Sequence, residues 1–225
     1  MKPTDDFDDS VLPEAFEKAR RVLERHFGLP QGFLTRLLDV EDWTYVLQLH
    51  ALMESTVARI VCEALPPSLH EWARSLNLQG GRGSLTGLAS ELNLLSKAEL
   101  RLIAAFSRLR ADLAHGVEHT NVHLGDYLRA RPNVLEELAQ VMPVLAVTTD
   151  RGPIIDAKTL LRESPRNALY YAIMPLLDRA SEASITNEYA LRIEAGDILT
   201  TEDGRALVTE DAPDIAKALH RPEIS

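Results

Sequence analysis

The stretch from Ser96 to Gly116 constrains the fold most, because it carries a start signal, an apolar stripe and a stop signal for one helix. Ser96 and Glu99 have the S-x-x-E spacing in which the two side chains accept hydrogen bonds from free N–H groups at a helix start. Gly116 favours the left-handed backbone that ends many helices. The sequence therefore predicts a helix over about Lys97 to His115. Its apolar stripe, at three- and four-residue spacing, consists of Leu100, Ile103, Phe106, Leu109 and Leu113.

Helical patterns of the same kind cover most of the chain up to residue 182. The predicted helices are 13–27, 33–38, 43–65, 68–78, 84–95, 124–131, 134–145, 156–162 and 165–180. The composition agrees, since only 5% of residues are aromatic while the strong helix formers Leu and Ala dominate. Pro175 lies inside the last of these helices and predicts a kink there. The sequence thus predicts a mainly α protein, built as a helical bundle.

The pattern changes after about residue 183. Three short stretches predict strands, namely 189–193, 197–201 and 205–209, and Asp203-Gly204 predicts a tight hairpin turn between the last two. Residues 214–220 predict a final short helix. The predicted organisation is an acidic lead-in at 1–12 with Asp5, Asp6, Asp8 and Asp9, a helical domain at 13–182, and an appendage with a β-hairpin at 183–225.

The charge balance bears on the partners that the chain can take. Its formal net charge is −10 with a pI near 5.2, which opposes non-specific binding to nucleic acid or to an anionic membrane. Neither a signal peptide nor an 18-residue apolar span is visible, so we expect a cytoplasmic protein without a membrane partner. A local basic patch of Arg101, Arg108 and Arg110 remains an alternative. The single cysteine, Cys62, excludes an intramolecular disulfide.

The end of the central helix holds the residues that point to a function. Arg110-Ala-Asp-Leu-Ala-His115-Gly116 resembles the R-x(4–6)-H motif near a helix end in the HEPN superfamily. The preceding stretch from Gly83 to Leu95 is similar to the segment that leads into that helix in HEPN-like proteins related to the mannitol operon repressor. The resemblance covers about residues 40–145.

The resemblance implies a helical bundle that dimerises. In active members, the Arg and His of two subunits form a metal-independent ribonuclease site without a cofactor. Arg110 would then hold a phosphate as a bidentate donor, and His115 would transfer a proton. Active members carry Asn, Asp or His directly after the arginine, whereas this chain has Ala111, with Asp112 one position later as a candidate supporting residue. Both basic residues also have a purely structural reading, since cations stabilise a helix C-terminus.

Other polar clusters could suggest a metal or phosphate site, but each has a simpler structural interpretation. His115, His119 and His123 are four residues apart, a spacing that invites a zinc site, but a helix break at Gly116 would separate the rings. His50 and Glu54 lie one turn apart, and we expect a side-chain hydrogen bond or an exposed pair there rather than a metal. The loop Gly80–Gly83 lacks a phosphate-binding signature and is interpreted as a connector. We therefore expect no bound metal.

Three functions are compatible with these observations. The favoured one is a non-catalytic helical module that regulates by protein contact, as the mannitol-repressor-like branch implies, working as a homodimer with a regulator or antitoxin as partner. The alternative is a metal-independent endoribonuclease, the toxin of a toxin–antitoxin pair, which would act on RNA through Arg110 and His115. A metal-dependent hydrolase built on the histidine run is a third and weaker reading.

Overall fold

Two long helices pack against each other at the centre of the fold: α3 (Asp42–Glu63) and α6 (Lys97–His115). The computed structural model describes residues 14–115, 123–142, 156–194, 198–200 and 206–208, with side chains described for 20–115, 123–142 and 156–183. Both helices bury one apolar face, which includes Leu49, Val57 and Ile103. The predicted bounds of α6 are confirmed.

The other helices confirm the mainly α fold. They are α1 (Glu14–His26), α2 (Phe33–Arg36), α4 (His70–Arg74), α5 (Leu85–Glu91), α7 (Leu124–Ala130), α8 (Pro132–Val141), α9 (Ala157–Glu163) and α10 (Pro165–Glu194). A 3₁₀ turn at Pro67–Leu69 leads into α4. Helix α8 packs on α6, while α4 and α5 pack on α3, and α7, α8 and α9 contact one another. None of the described helices is long and apolar enough to cross a membrane.

Side-chain caps are present at the start of α5 and α6, including the predicted capping box of α6. Ser96 N–H donates to Glu99 Oε2 at 2.6 Å and Glu99 N–H donates to Ser96 Oγ at 3.2 Å, which is the reciprocal capping box. Ser84 Oγ accepts from Gly87 N–H at 3.1 Å at the start of α5. These local bonds satisfy backbone donors that a helix start leaves free, so they fix where each helix begins.

One buried carboxylate links α1 to α2. Glu24 is 3% exposed, and its two oxygens accept backbone N–H groups from Gly32 at 2.7 Å and Leu34 at 2.8 Å. Because Gly32 is the N-cap of α2 and brings no side-chain oxygen, Glu24 supplies the acceptors from a neighbouring helix.

Four predicted elements differ from the structure by more than two residues. Helix α8 covers Pro132–Val141 rather than 134–145. The predicted helix 68–78 is only the 3₁₀ turn and α4, which ends at Arg74. Helix α5 ends at Glu91 rather than residue 95, because Asn93 adopts a left-handed backbone with φ of 54°. The predicted strand 189–193 is wrong: α10 continues to Glu194. No glycine or proline interrupts the chain between Pro175 and Gly196, and a helix once formed gains one hydrogen bond for each added residue.

The chain divides after Ser181 into two compact units. In the second, β1 (Ile198–Thr200) pairs antiparallel with β2 (Ala206–Val208), with Leu199 opposite Leu207. The two predicted strands of the hairpin are therefore confirmed. The acidic lead-in, Gly116, His119, the hairpin turn and the helix predicted at 214–220 lie outside the described residues.

Candidate functional site

The N-terminus of α3 fixes the segment in which α6 ends. The indole N–H of Trp43 donates to the carbonyl of Leu113 at 3.2 Å, and the carboxylate of Asp42 accepts the backbone N–H of Leu124 at 2.6 Å. The other oxygen of Asp42 accepts from the guanidinium of Arg166 at the start of α10. Two adjacent residues of α3 thus hold the end of α6 and the start of α7.

Arg110 lies on the side of α6 that meets α3. Its side chain is exposed, and its charge acts on His50 of α3. The Nε2 atom of His50 is 3.1 Å from Ser107 Oγ, and the Ser107 hydroxyl donates to the carbonyl of Ile103 at 2.9 Å. The predicted side-chain hydrogen bond of His50 is confirmed, and its partner is a serine one turn before Arg110.

The environment of His50 favours the neutral imidazole. Burial lowers the pKa of His50, because desolvation penalises the charged form, and the positive charge of Arg110 lowers it further. The carboxylate of Glu54, one helical turn away on α3, opposes both effects. At neutral pH this histidine is therefore an uncharged hydrogen-bonding group.

Asp112 faces α7. Its carboxylate accepts the hydroxyl of Tyr127 at 3.4 Å, and the guanidinium of Arg131 lies 4.1 Å from the centre of the Tyr127 ring. Burial raises the pKa of Tyr127, and the charge of Asp112 raises it further, so the phenol stays protonated and able to donate. An ideal helix places Asp112 about 200° around the axis from Arg110. The described contacts therefore do not join Asp112 to Arg110.

His115 is the last residue of α6, and its side chain is exposed. An ideal helix rotates by about 500° over five residues, which leaves His115 about 140° away from Arg110 around the axis. Among the residues that the structure describes, no hydrogen bond joins the two side chains. Within one subunit, the charge of Arg110 acts on His50, and none of the described contacts joins Arg110 to His115.

The three arginines of α6 do not form one patch. Arg108 pairs with the carboxylate of Glu137 on α8, and it lies about 200° around the helix from Arg110. Arg101 is exposed and shares the side of Arg108, since seven residues are nearly two full turns. The alternative of a single basic patch is therefore replaced by two separate faces.

The histidine run is described only in part. His123 Nδ1 lies 3.6 Å from the carboxylate of Asp42, and its side chain is 85% exposed. Within 14–115, 123–142 and 156–183, no three side chains of His, Cys, Asp or Glu are placed to hold a metal ion. Since His119 is outside the described residues, the three-histidine reading stays a hypothesis.

A second feature lies along α3. An open cleft of about 590 Å³ is lined by Arg59, Cys62, Glu63, His70 and Arg74 among others. Cys62 is buried and donates to the carbonyl of His70 at 3.7 Å, and burial raises the pKa of its thiol. It is therefore a neutral thiol, as a structural cysteine is.

An exposed apolar pair stands out on the short segment between α3 and α5. Leu69 is 40% exposed and Trp72 is 47% exposed. The two residues are three apart, so they lie on one side of this turn of helix. Both residues fall in the helix predicted over 68–78, and only the structure shows that they stay accessible.

Sequence reasoning also missed His50 as the neighbour of Arg110. The two residues are far apart in sequence, so no local spacing identified the pair.

Comparison with known proteins found no match. No family model matches this chain, and neither a curated protein nor a solved structure resembles it closely enough to count as a match.

Proposed function

We propose that this protein is a cytoplasmic helical module of the HEPN type, similar to the mannitol operon repressor branch, which regulates by binding a protein rather than by catalysis. The observation that carries this proposal is the exposed pair Leu69 and Trp72. Tryptophan is enriched among the residues that dominate protein–protein binding energy, and about half of this side chain is accessible.

The geometry of α6 supports a non-catalytic role. General acid–base catalysis requires its groups within hydrogen-bond reach of one reacting centre. Asp112 accepts a hydrogen bond from Tyr127 on α7, whereas the charge of Arg110 acts on His50 of α3. The net charge of −10 also disfavours a polyanionic substrate.

The test is binding with and without the exposed tryptophan. A partner is isolated with the tagged wild-type protein from its native cells, identified and purified, and its affinity is then measured by calorimetry. Trp72→Ala should weaken binding at least about 30-fold, the loss of about 2 kcal/mol that marks a dominant contact. Leu92→Ala is the matched control, since Leu92 is a comparably exposed apolar residue elsewhere, at 43%. Equal affinities of the Trp72→Ala and Leu92→Ala variants would refute the proposal that the partner binds at Leu69 and Trp72.

The alternative is the metal-independent ribonuclease. The observation in its favour is that Arg110 is exposed and, in the part of the chain that the structure describes, no hydrogen bond or ion pair occupies its guanidinium. In a homodimer, Arg110 of one subunit would work with His115 of the other. RNA cleavage with EDTA present, compared with equally folded His115→Ala, tests it: activity lost only in the variant would replace the binding proposal.

A further inference from the structure

The open cleft of about 590 Å³ lies along one side of α3. The lining residues of this helix recur at three- and four-residue spacing from Ala51 to Glu63, so about three helical turns form its floor. Phe27, Leu76 and Leu85 supply apolar side chains from other parts of the chain. Its volume lies within the range of about 300–1,000 Å³ that is typical of small-molecule sites, which combine apolar walls with a few polar groups.

Several polar groups of the cleft are already bonded within the protein. Arg59 donates to the carbonyl of His26 and lies 3.9 Å from the carboxylate of Glu63. The Nε2 atom of His70 is 2.9 Å from the carbonyl of Leu65, and since a carbonyl only accepts, the ring donates there. Arg59, Glu63 and His70 are therefore engaged without a ligand.

Two oppositely charged side chains of the cleft keep bonding capacity for a ligand. Within the described ranges, no hydrogen bond or ion pair occupies the carboxylate of Glu54, and no carboxylate pairs with Arg74. The guanidinium of Arg74, which lines the cleft from α4, is hydrogen-bonded to the thiol of Cys62. This leaves most of its five N–H donors available. The cleft thus presents one negative and one positive group.

The two charged groups mark the ends of an elongated site. Glu54 precedes Cys62, the neighbour of the Arg74 guanidinium, by eight residues, which is about 12 Å along the helix axis. The Glu54 side chain also leans towards the N-terminus of α3, away from Cys62. A single amino acid carries its ammonium and carboxylate on one carbon and cannot span this distance. An extended tripeptide spans about 10–11 Å and matches it.

We propose that the cleft binds a short zwitterionic peptide of about three residues. Glu54 accepts the N–H groups of the peptide's ammonium, and Arg74 donates two parallel hydrogen bonds to its carboxylate. The apolar side chains of the cleft contact the peptide side chains between the two ends. A simple anion is disfavoured, because it would bring no cation to the carboxylate of Glu54. This site goes beyond the proposed protein contact and does not depend on it.

The test is a calorimetric titration with the tripeptide Ala-Leu-Ala, whose middle side chain is apolar like the cleft. The wild-type protein should bind it. Arg74→Gln and Glu54→Gln should each weaken binding at least about tenfold, since each removes hydrogen bonds to a charged group. Arg108→Gln and Glu91→Gln are the matched controls and should leave the affinity unchanged, because both residues are exposed and lie outside the cleft. Circular dichroism confirms that the variants are folded.

Blocked peptides assign each end of the ligand. Amidation removes the carboxylate of the probe, so Arg74→Gln should bind the amide as tightly as the wild-type protein does. Acetylation removes the ammonium, so Glu54→Gln and the wild-type protein should bind the acetylated peptide equally. A general distortion of the cleft would not give this pairing. Trp72→Ala should bind the free peptide with wild-type affinity, which separates this site from the proposed protein contact.

Three results would overturn the proposal. The first is that the wild-type protein does not bind the free peptide at millimolar concentrations. The second is that neither Arg74→Gln nor Glu54→Gln weakens binding. The third is that a peptide blocked at both ends binds as tightly as the free one, which would mean that the cleft takes an internal segment of a protein.

Discussion

Trp43 donates its indole N–H to the carbonyl of Leu113, 70 residues further along the chain. The Leu113 carbonyl lies in the last turn of α6, where backbone acceptors lack partners within the helix. The bond therefore ties the end of α6 to the start of α3, beside the residues that resemble the HEPN motif. Trp43 is half-buried, so water competes only in part for this carbonyl.

Replacing Trp43 by phenylalanine should destabilise the protein. The variant keeps an aromatic ring but loses the N–H donor, and an intramolecular hydrogen bond contributes about 1 kcal/mol. We expect the free energy of unfolding in urea to fall by at least about this amount. Trp72→Phe is the control, since Trp72 is half-exposed and such surface changes stay within about 0.5 kcal/mol. Equal effects of both changes would contradict the role of the Trp43 bond.

Glu24→Gln should lower the free energy of unfolding although glutamine and glutamate are nearly equal in size. Both carboxylate oxygens of Glu24 accept backbone N–H groups at the start of α2. A glutamine keeps one acceptor and presents its NH₂ group to the other N–H, so one buried donor loses its partner, at a cost of about 1–3 kcal/mol. Glu91→Gln, in an exposed pair with Arg82, should cost less than about 1 kcal/mol. Urea unfolding of the two variants decides between these outcomes.

The contrast between α6 and α10 shows what local sequence can predict. The bounds of α6 were predictable because its capping box and its apolar stripe act within a few residues of each other. The end of α10 was not, because the stretch at 189–193 is short and compatible with either strand or helix, and its conformation follows from the helix that precedes it.

The candidate site shows more clearly what the sequence alone could not predict. The sequence singled out Arg110 and His115 through their spacing on one helix. It gave no sign that the charge of Arg110 acts on His50, because that relationship depends on how α3 packs against α6. The bond between His50 and Ser107 spans 57 residues. Periodicity predicts which face of a helix is apolar, but it does not identify the polar residue that a neighbouring helix brings opposite.

Gly87→Ala tests a close approach between α5 and the preceding loop. Alanine in a helix is favoured over glycine by about 1 kcal/mol. At this position, however, a Cβ atom would lie 2.2 Å from the carbonyl oxygen of Gly81, and relieving such overpacking costs about 1–3 kcal/mol. We expect net destabilisation and a lower thermal midpoint. Gly83→Ala, where a Cβ atom would meet nothing within 4 Å, should leave the midpoint nearly unchanged. A more stable Gly87→Ala variant would show that the loop moves away freely.

The protein should lose stability on acidification through His50. The pKa of His50 is lowered in the folded state, so both states are neutral well above the unfolded value of about 6.5 and the group then contributes nothing to the pH dependence. As the pH falls below that value, the unfolded chain binds a proton that the folded protein still resists. The free energy of unfolding therefore declines until the lower folded pKa is reached.

Two variants should change this decline in opposite directions, which separates His50 from other acid-sensitive groups. Arg110→Gln removes a positive charge that lowers the His50 pKa, so the difference between the folded and unfolded states shrinks and the decline becomes shallower. Glu54→Gln removes the carboxylate that raises it, so the decline should extend to lower pH. The free energy of unfolding is measured in urea across the acidic range for the wild-type protein and the two variants. His50→Gln is measured in the same way and gives the pH dependence that the other titrating groups cause. Parallel profiles for the two charge variants would exclude His50 as the titrating group.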